Sequence, residues 1–278
     1  MTFNIGNYVS RNSHNNDIIF KIVEIENNVV FLKGVDYRLF ADSSVDDLKL
    51  EKECNNNIYD KDIMQRSIKD LNIDRSNFFY LPGRILHIDG DPEYLNRCMK
   101  FYDGVGVKAN GFNINEDLIS KKIYSLLVEY KPDILVITGH DAYNKSSNDK
   151  NNINNYQNSL NFYNAVIEAR KYEKNQDKLI IIAGACQSDY EDLIKAGANF
   201  SSSPKRINLH ALDPAIVASS VALSEKNKNL DVVKLIEKTK YGKDGIGGII
   251  TNGTMYVGYP RWCLTILEII LKDLLENK

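Results

Sequence analysis

The chain has 278 residues, of which 43% are hydrophobic and 26% charged, with a formal net charge of −2. This composition supports a packed core, excludes global disorder and argues against a generic nucleic-acid binder. No apolar run reaches the ~18 residues of a membrane span, and the first residues lack the basic and apolar regions of a signal peptide.

Residues 1–42 read as a small β module. Asp17–Ile25, Val29–Leu32 and Tyr37–Phe40 have strand character, with a turn at Glu26-Asn27-Asn28. Several strands in so short a stretch suggest an SH3-like barrel. Residues 43–83 read as a partly helical connector, with helix-compatible stretches at Val45–Glu53 and Lys61–Asn72.

From residue 84 to 278 the pattern alternates. Strands are expected at Arg84–Asp89, Val105–Ala109, Asp133–Thr138, Lys178–Ala183 and Ala198–Ser202. Helices are expected after Pro92, at Glu116–Tyr130, Tyr156–Tyr172 and Ser188–Ala196, near 213–223 and 230–239, and at Trp262–Glu276. Ile246–Val257 reads as a Gly-rich hairpin or loop, and Asn144–Asn155 as a polar loop. Such alternation predicts an α/β domain whose mostly parallel sheet carries helices on both faces.

Two of the apolar runs carry the chemistry. Ile134–Gly139 delivers His140, and Leu179–Ala185 delivers Cys186. Both residues fall at carboxyl ends of strands, where open α/β sheets place their sites. One crossover helix between them suits adjacent parallel strands. An imidazole beside a thiol is what a cysteine hydrolase requires. Cys186 precedes an expected helix, whose positive end would favour thiolate. His210 is a second candidate base, His87 reads as a core residue, and His14 belongs to the first module. The cysteines at 54, 98, 186 and 263 form no C-x-x-C pair, so neither a disulfide framework nor a metal site is expected. Gly245-Ile246-Gly247-Gly248 lacks the full dinucleotide-binding pattern.

A strand ending in Gly-His, a crossover helix and a strand ending in Ala-Cys are similar to the caspase/clostripain-type cysteine peptidases. Further segments carry a closer likeness: Gly6-Asn7-Tyr8-Val9-Ser10-Arg11, the block from Gly83 to Pro92, Thr138-Gly139-His140-Asp141, Ala183–Ser188 and Ala211-Leu212-Asp213-Pro214-Ala215. Through them the chain resembles the YabG family of sporulation-specific cysteine peptidases. The resemblance implies a caspase-like domain, Cys186 as nucleophile and His140 as its partner. It implies cleavage after arginine in spore coat and cortex-associated proteins, without a cofactor, in the mother-cell cytoplasm and spore coat. The caspase-like pattern has Gly after the histidine where this chain has Asp141, so the oxyanion donors are expected to be the amides of Cys186 and Asp141.

An arginine-reading pocket needs a carboxylate facing the guanidinium. Asp89 and Asp91 after the first strand of the domain are the first candidates, with Asp141 and Asp189 as alternatives. Arg75 and Lys205-Arg206 are candidate points of self-cleavage. Two other classes of function fit parts of the pattern. One is a cysteine-dependent hydrolase of small amides. The other is a receiver- or flavodoxin-like binding or structural coat protein, in which Asp89 and Asp91 would hold a metal and Cys186 would have no special role.

Overall fold

The protein is described from a computed structural model covering residues 3–52, 57–69, 77–144, 146–147 and 149–259. The helix expected at Trp262–Glu276, Arg75 and the cysteines at 54 and 263 lie outside the described residues.

The N-terminal part is a five-stranded antiparallel sheet. Its strands are β1 (Tyr8–Arg11), β2 (Phe20–Glu26), β3 (Val29–Gly34), β4 (Phe40–Ser44) and β5 (Leu48–Leu50), in the order β4-β3-β2-β1-β5. The order has two ends, so the strands expected of an SH3-like barrel are seen here as an antiparallel sheet that is not closed. Alternate side chains gather on one face, with Val9, Phe20, Ile22, Val30, Leu32 and Leu48 forming its own small core. The stretch at Val45–Glu53 holds a single 3-10 turn and β5 instead of a helix, because Leu48–Leu50 pairs with Val9–Arg11 and so completes the sheet edge. Tyr37–Leu39 is not a strand of this sheet. It leaves the sheet between β3 and β4, and Tyr37 forms an antiparallel bridge with His210.

The connector holds α1 (Asn57–Lys69) and β6 (Phe79–Leu81). The main domain continues with β7 (Ile85–Asp89), α2 (Pro92–Gly104), β8 (Ala109–Asn113), α3 (Glu116–Tyr130), β9 (Ile134–Thr138), α4 (Ser159–Tyr172), β10 (Ile180–Ala183), α5 (Tyr190–Lys195), β11 (Phe200–Ser202), α6 (Asp213–Ala222), α7 (Val232–Ile236), β12 (Ile246–Gly248) and β13 (Tyr256–Gly258). Six strands make one sheet in the order β12-β11-β10-β9-β7-β8, parallel except for β12. The second strand of the domain starts later than Val105. Helix α2 persists to Gly104, and Gly106 turns the chain at φ 74° before β8 pairs with β7. As an edge strand holding Asn110, Gly111 and Asn113, β8 carries little of the apolar signal that marked its neighbours. Ile246–Val257 is not a hairpin, since β12 joins β11 while β13 pairs with β6.

The period-two alternation of each central strand feeds two cores. Ile134, Val136, Ile180 and Ile182 face α2 and α6, with Phe101, Tyr102, Ile216 and Val217. Leu135, Ile137, Ile181 and Ala183 face α3 and α4, with Ile119, Ile123, Phe162 and Val166. Burial on both faces explains why these strands read as continuous apolar runs. Among the described residues, no helix is long and apolar enough to cross a membrane.

Phe162 is fully buried beneath α4, whereas Val233 on α7 is 62% exposed. Phe162→Ala should therefore lower the unfolding free energy by about 3–5 kcal/mol, and Val233→Ala should change it by no more than ~0.5 kcal/mol. Urea unfolding followed by circular dichroism checks both.

Candidate active site

The connections from β7 run to opposite sides: β8 lies against one edge of β7 and β9 against the other. Open α/β sheets bind ligands beyond the carboxyl ends of the strands at such a reversal, which here falls between β7 and β9. Asp89 and Thr138 are register partners at that end, and the Thr138 hydroxyl donates to Asp89 Oδ2 at 2.8 Å. Strand β10 follows on the far side of β9, so the segments leading to His140 and Cys186 leave neighbouring parallel strands.

His140 is fixed from two directions. Its Nε2 lies 3.0 Å from Asp91 Oδ2, and its backbone N–H donates to Glu116 Oε1 at 2.8 Å. Glu116 reaches this point because neither Gly90 nor Gly139 has a side chain. A β-carbon on either would fall 2.2 or 2.3 Å from Glu116 Oε1. The imidazole packs on Phe40, with ring centroids 4.3 Å apart, and on Tyr94 at 5.7 Å. Its Nδ1 is buried and has no hydrogen-bond partner among the described residues.

Cys186 is wholly buried and belongs to the core on the α2/α6 face. Its Sγ accepts the Leu209 N–H at 3.1 Å. Burial pushes the thiol up to about 12, an effect that the Leu209 N–H and the charge of Arg38 oppose without overcoming. This reverses the lowering expected from a helix end. Helix α5 begins only at Tyr190, with Asp189 as its N-cap, and Gln187 (φ 59°) turns the chain in between. The amides around the two residues are mostly taken. Ala185 N donates to Ser188 Oγ, Gln187 N to Ile207 O, and Ala142 N to the Asp141 carboxylate.

The four acidic candidates have different surroundings. Asp89 is fully buried and meets the guanidinium of Arg38, with Nη1 to Oδ2 at 2.5 Å. Burial would raise its pKa, but the Arg38 charge, the neighbouring His87 and the Asp91 amide together outweigh burial and hold the carboxyl far below the usual range. Asp91 caps α2 through the amides of Glu93 and Tyr94, and also binds Lys33 and His140. Burial opposes its ionisation, yet the His140 and Lys33 bonds bring its pKa down to about 2. The Asp141 carboxylate accepts from Ser159 Oγ, Ser188 Oγ and the amides of Ala142 and Asn158. It therefore ties together the starts of α4 and α5. Asp189 accepts from Arg206 at 3.3 Å, and Arg206 also binds Glu191 and the Tyr156 hydroxyl.

His210 is buried, and burial, assisted by the charge of Arg97, drives its pKa down to about 3. His87 lies inside β7 between Tyr102 and Thr138. Among the described residues, no cluster of three His, Cys, Asp or Glu side chains is arranged to hold a metal. The sequence did not point to Lys33, Arg38, Phe40 or Glu116. Glu116 alone carried a local signal, as the first residue of an amphipathic helix.

Residues 4–260 match the family described as YabG peptidase U57. The chain is also 37% identical over 286 aligned residues to the sporulation-specific protease YabG of Bacillus subtilis (strain 168), covering 94% of this chain and 99% of that protein. The chain therefore belongs to the YabG peptidase family and is a hydrolase of peptide bonds.

The Asp91 carboxyl has a folded-state pKa of about 2, below its ordinary value of 3.8. Its ionised contacts thus add stability above the ordinary value, and that contribution fades as pH falls toward about 2. Asp91→Asn should be less stable than the wild type by up to about 2 kcal/mol above pH ~5, with the gap narrowing toward pH ~3. Paired urea titrations across this range measure the difference.

Proposed function

We propose that this peptidase is an arginine-directed cysteine endopeptidase acting through Cys186 and His140. The observation that carries the reading is the state of His140. Asp91 holds Nε2, leaving Nδ1 as a buried nitrogen without a partner among the described residues, on a segment beside the one that ends in Cys186. Asp91 is then the positioning residue for the imidazole. Its carboxylate also favours the imidazolium that forms when the thiol gives up its proton.

The chemistry follows the usual course of acyl transfer. Cys186 Sγ passes its proton to Nδ1 and adds to the carbonyl carbon of the substrate arginine. The amides of Cys186 and Asp141 stabilise the oxyanion. His140 protonates the departing amine as the peptide bond breaks, leaving a thioester that water hydrolyses. Asp89 reads the arginine, which its pairing with the Arg38 guanidinium supports, since a buried carboxylate at the carboxyl end of β7 already receives that group. Asp91 and Asp141 are less suited to that role, because their oxygens already serve a helix cap, a lysine, an imidazole and two serines.

A caspase-like assignment for residues 84–278 is supported by the mostly parallel sheet and the His-then-Cys order on β9 and β10. A role in sporulation, with coat and cortex-associated proteins as substrates in the mother cell and coat, rests on the family relationship. The receiver-like alternative gains little support, because Asp89 and Asp91 are each neutralised by a cationic side chain.

Hydrolysis of fluorogenic peptides with a single arginine before the scissile bond should fall by on the order of 10³-fold or more in Cys186→Ala and in His140→Ala. Asp89→Asn should reduce kcat/KM for arginine peptides while narrowing the preference for arginine over alanine. Undiminished cleavage by Cys186→Ala would refute the nucleophile. Undiminished arginine preference in Asp89→Asn would remove Asp89 from the pocket.

A further inference from the structure

The link between β3 and β4 is built like a bound peptide. Asp36–Arg38 runs antiparallel to Leu209–Ala211: Ala211 N donates to Asp36 O at 2.9 Å, and Arg38 N donates to Leu209 O at 3.2 Å. The bridge between Tyr37 and His210 lies between these two bonds. An extended segment that exchanges main-chain bonds with an exposed edge while a side chain fills a pocket is a recurrent mode of peptide recognition. Here the side chain is Arg38. Its guanidinium meets Asp89, donates to the Ala211 carbonyl at 3.1 Å, and lies over the Tyr94 ring 5.0 Å from the centroid.

The segment also touches what surrounds the sulfur and the imidazole. Leu209 accepts from Arg38 through its carbonyl and donates to Cys186 Sγ through its N–H. Just beyond Arg38, Phe40 covers the ring of His140. Helix α2 clamps the link from outside. The Tyr94 hydroxyl donates to the carbonyls of Gly34 and Tyr37, and Arg97 donates to Val35 O and Asp36 Oδ1. An ion pair is a poor general device for joining two sheets, because desolvation offsets most of its attraction. An arginine on a carboxylate is instead the contact that a pocket selective for arginine makes with its ligand.

We infer that Asp36–Leu39 occupies in cis the groove in which a substrate's arginine and the residues before it bind, so that the N-terminal sheet holds the peptidase latent until this segment is displaced. The inference rests on the proposed arginine-reading role of Asp89 and extends it. The main chain of Leu209–Ala211 becomes the edge on which an extended substrate docks. The complete burial of Cys186 becomes a property of the closed arrangement, with Arg38 and its neighbours as the cover.

The test uses the full chain and two readouts: alkylation of Cys186 by iodoacetamide, followed by peptide mass spectrometry, and hydrolysis of an arginine peptide. Arg38→Ala removes the pocket occupant. Arg97→Ala loosens the clamp while leaving Asp89 paired, and so serves if Arg38→Ala fails to fold. Alkylation of Cys186 should accelerate at least about tenfold in folded Arg38→Ala and by a smaller factor in Arg97→Ala, because the open fraction limits access. Wild-type alkylation rates in the folded variants would overturn the inference. Hydrolysis separates it from the reading beneath it. Faster alkylation with no cleavage in any form leaves the cover standing and removes the peptidase assignment to Cys186. Cys186-dependent cleavage by the wild type, with alkylation unmoved in both variants, keeps the peptidase and removes the cover.

Discussion

The buried pair between Arg38 and Asp89 is the contact on which the arrangement of the site turns. Neither charge is exposed, so each must find its partner and its remaining hydrogen bonds inside the protein. Asp89 takes Arg38 and Thr138 on one oxygen and the Asp91 amide on the other. Arg38 completes its own set with the Ala211 carbonyl. This network ties the ends of β7 and β9 to the N-terminal sheet and to the segment before α6. Removing either charge would leave the other buried and alone, at a cost of about 3–5 kcal/mol.

A second constraint is steric. Gly90 and Gly139 stand at corresponding ends of β7 and β9, and the Glu116 carboxylate passes where their side chains would be. Through it the start of α3 holds the main chain of His140, while Asp91 at the start of α2 holds the ring. One residue is therefore oriented by the beginnings of two helices on opposite faces of the sheet. Orientation of that kind limits the movement of an imidazole more than a single contact does, and a general base benefits from it.

The N-terminal sheet contributes side chains that touch the candidate site. Lys33 on β3 neutralises Asp91, Phe40 on β4 covers His140, and the link between those strands carries Arg38. The buried Cys98 lies beside the same pair, 3.5 Å from Arg38 Nη2. The charges between the two sheets thus satisfy one another.

Much of the main domain was legible in the residues themselves. Ile134–Ile137 and Ile180–Ile182 are buried on both faces, so burial left an unbroken apolar run in each, His87 alone interrupts the run at Ile85–Ile88, and Pro92 marked the start of a helix. The placement of His140 and Cys186 at neighbouring strand ends followed from that local pattern and one crossover. The edge strand Ala109–Asn113 was not legible, because its pairing is made by main-chain bonds that leave no apolar signature. Tyr37–Phe40 misled for a related reason: its alternation is that of a strand, but only Phe40 joins the N-terminal sheet, while Tyr37 and Arg38 pair with Leu209–Ala211 in the other domain. What only tertiary structure decided is which acid meets which base. Asp89 and Asp91 are near-equivalent in sequence, and contacts with Arg38 and Lys33, far earlier in the chain, give one to a guanidinium and the other to an ammonium and an imidazole. Charge pairing across such separations depends on distances in space, which residue spacing along a chain does not encode.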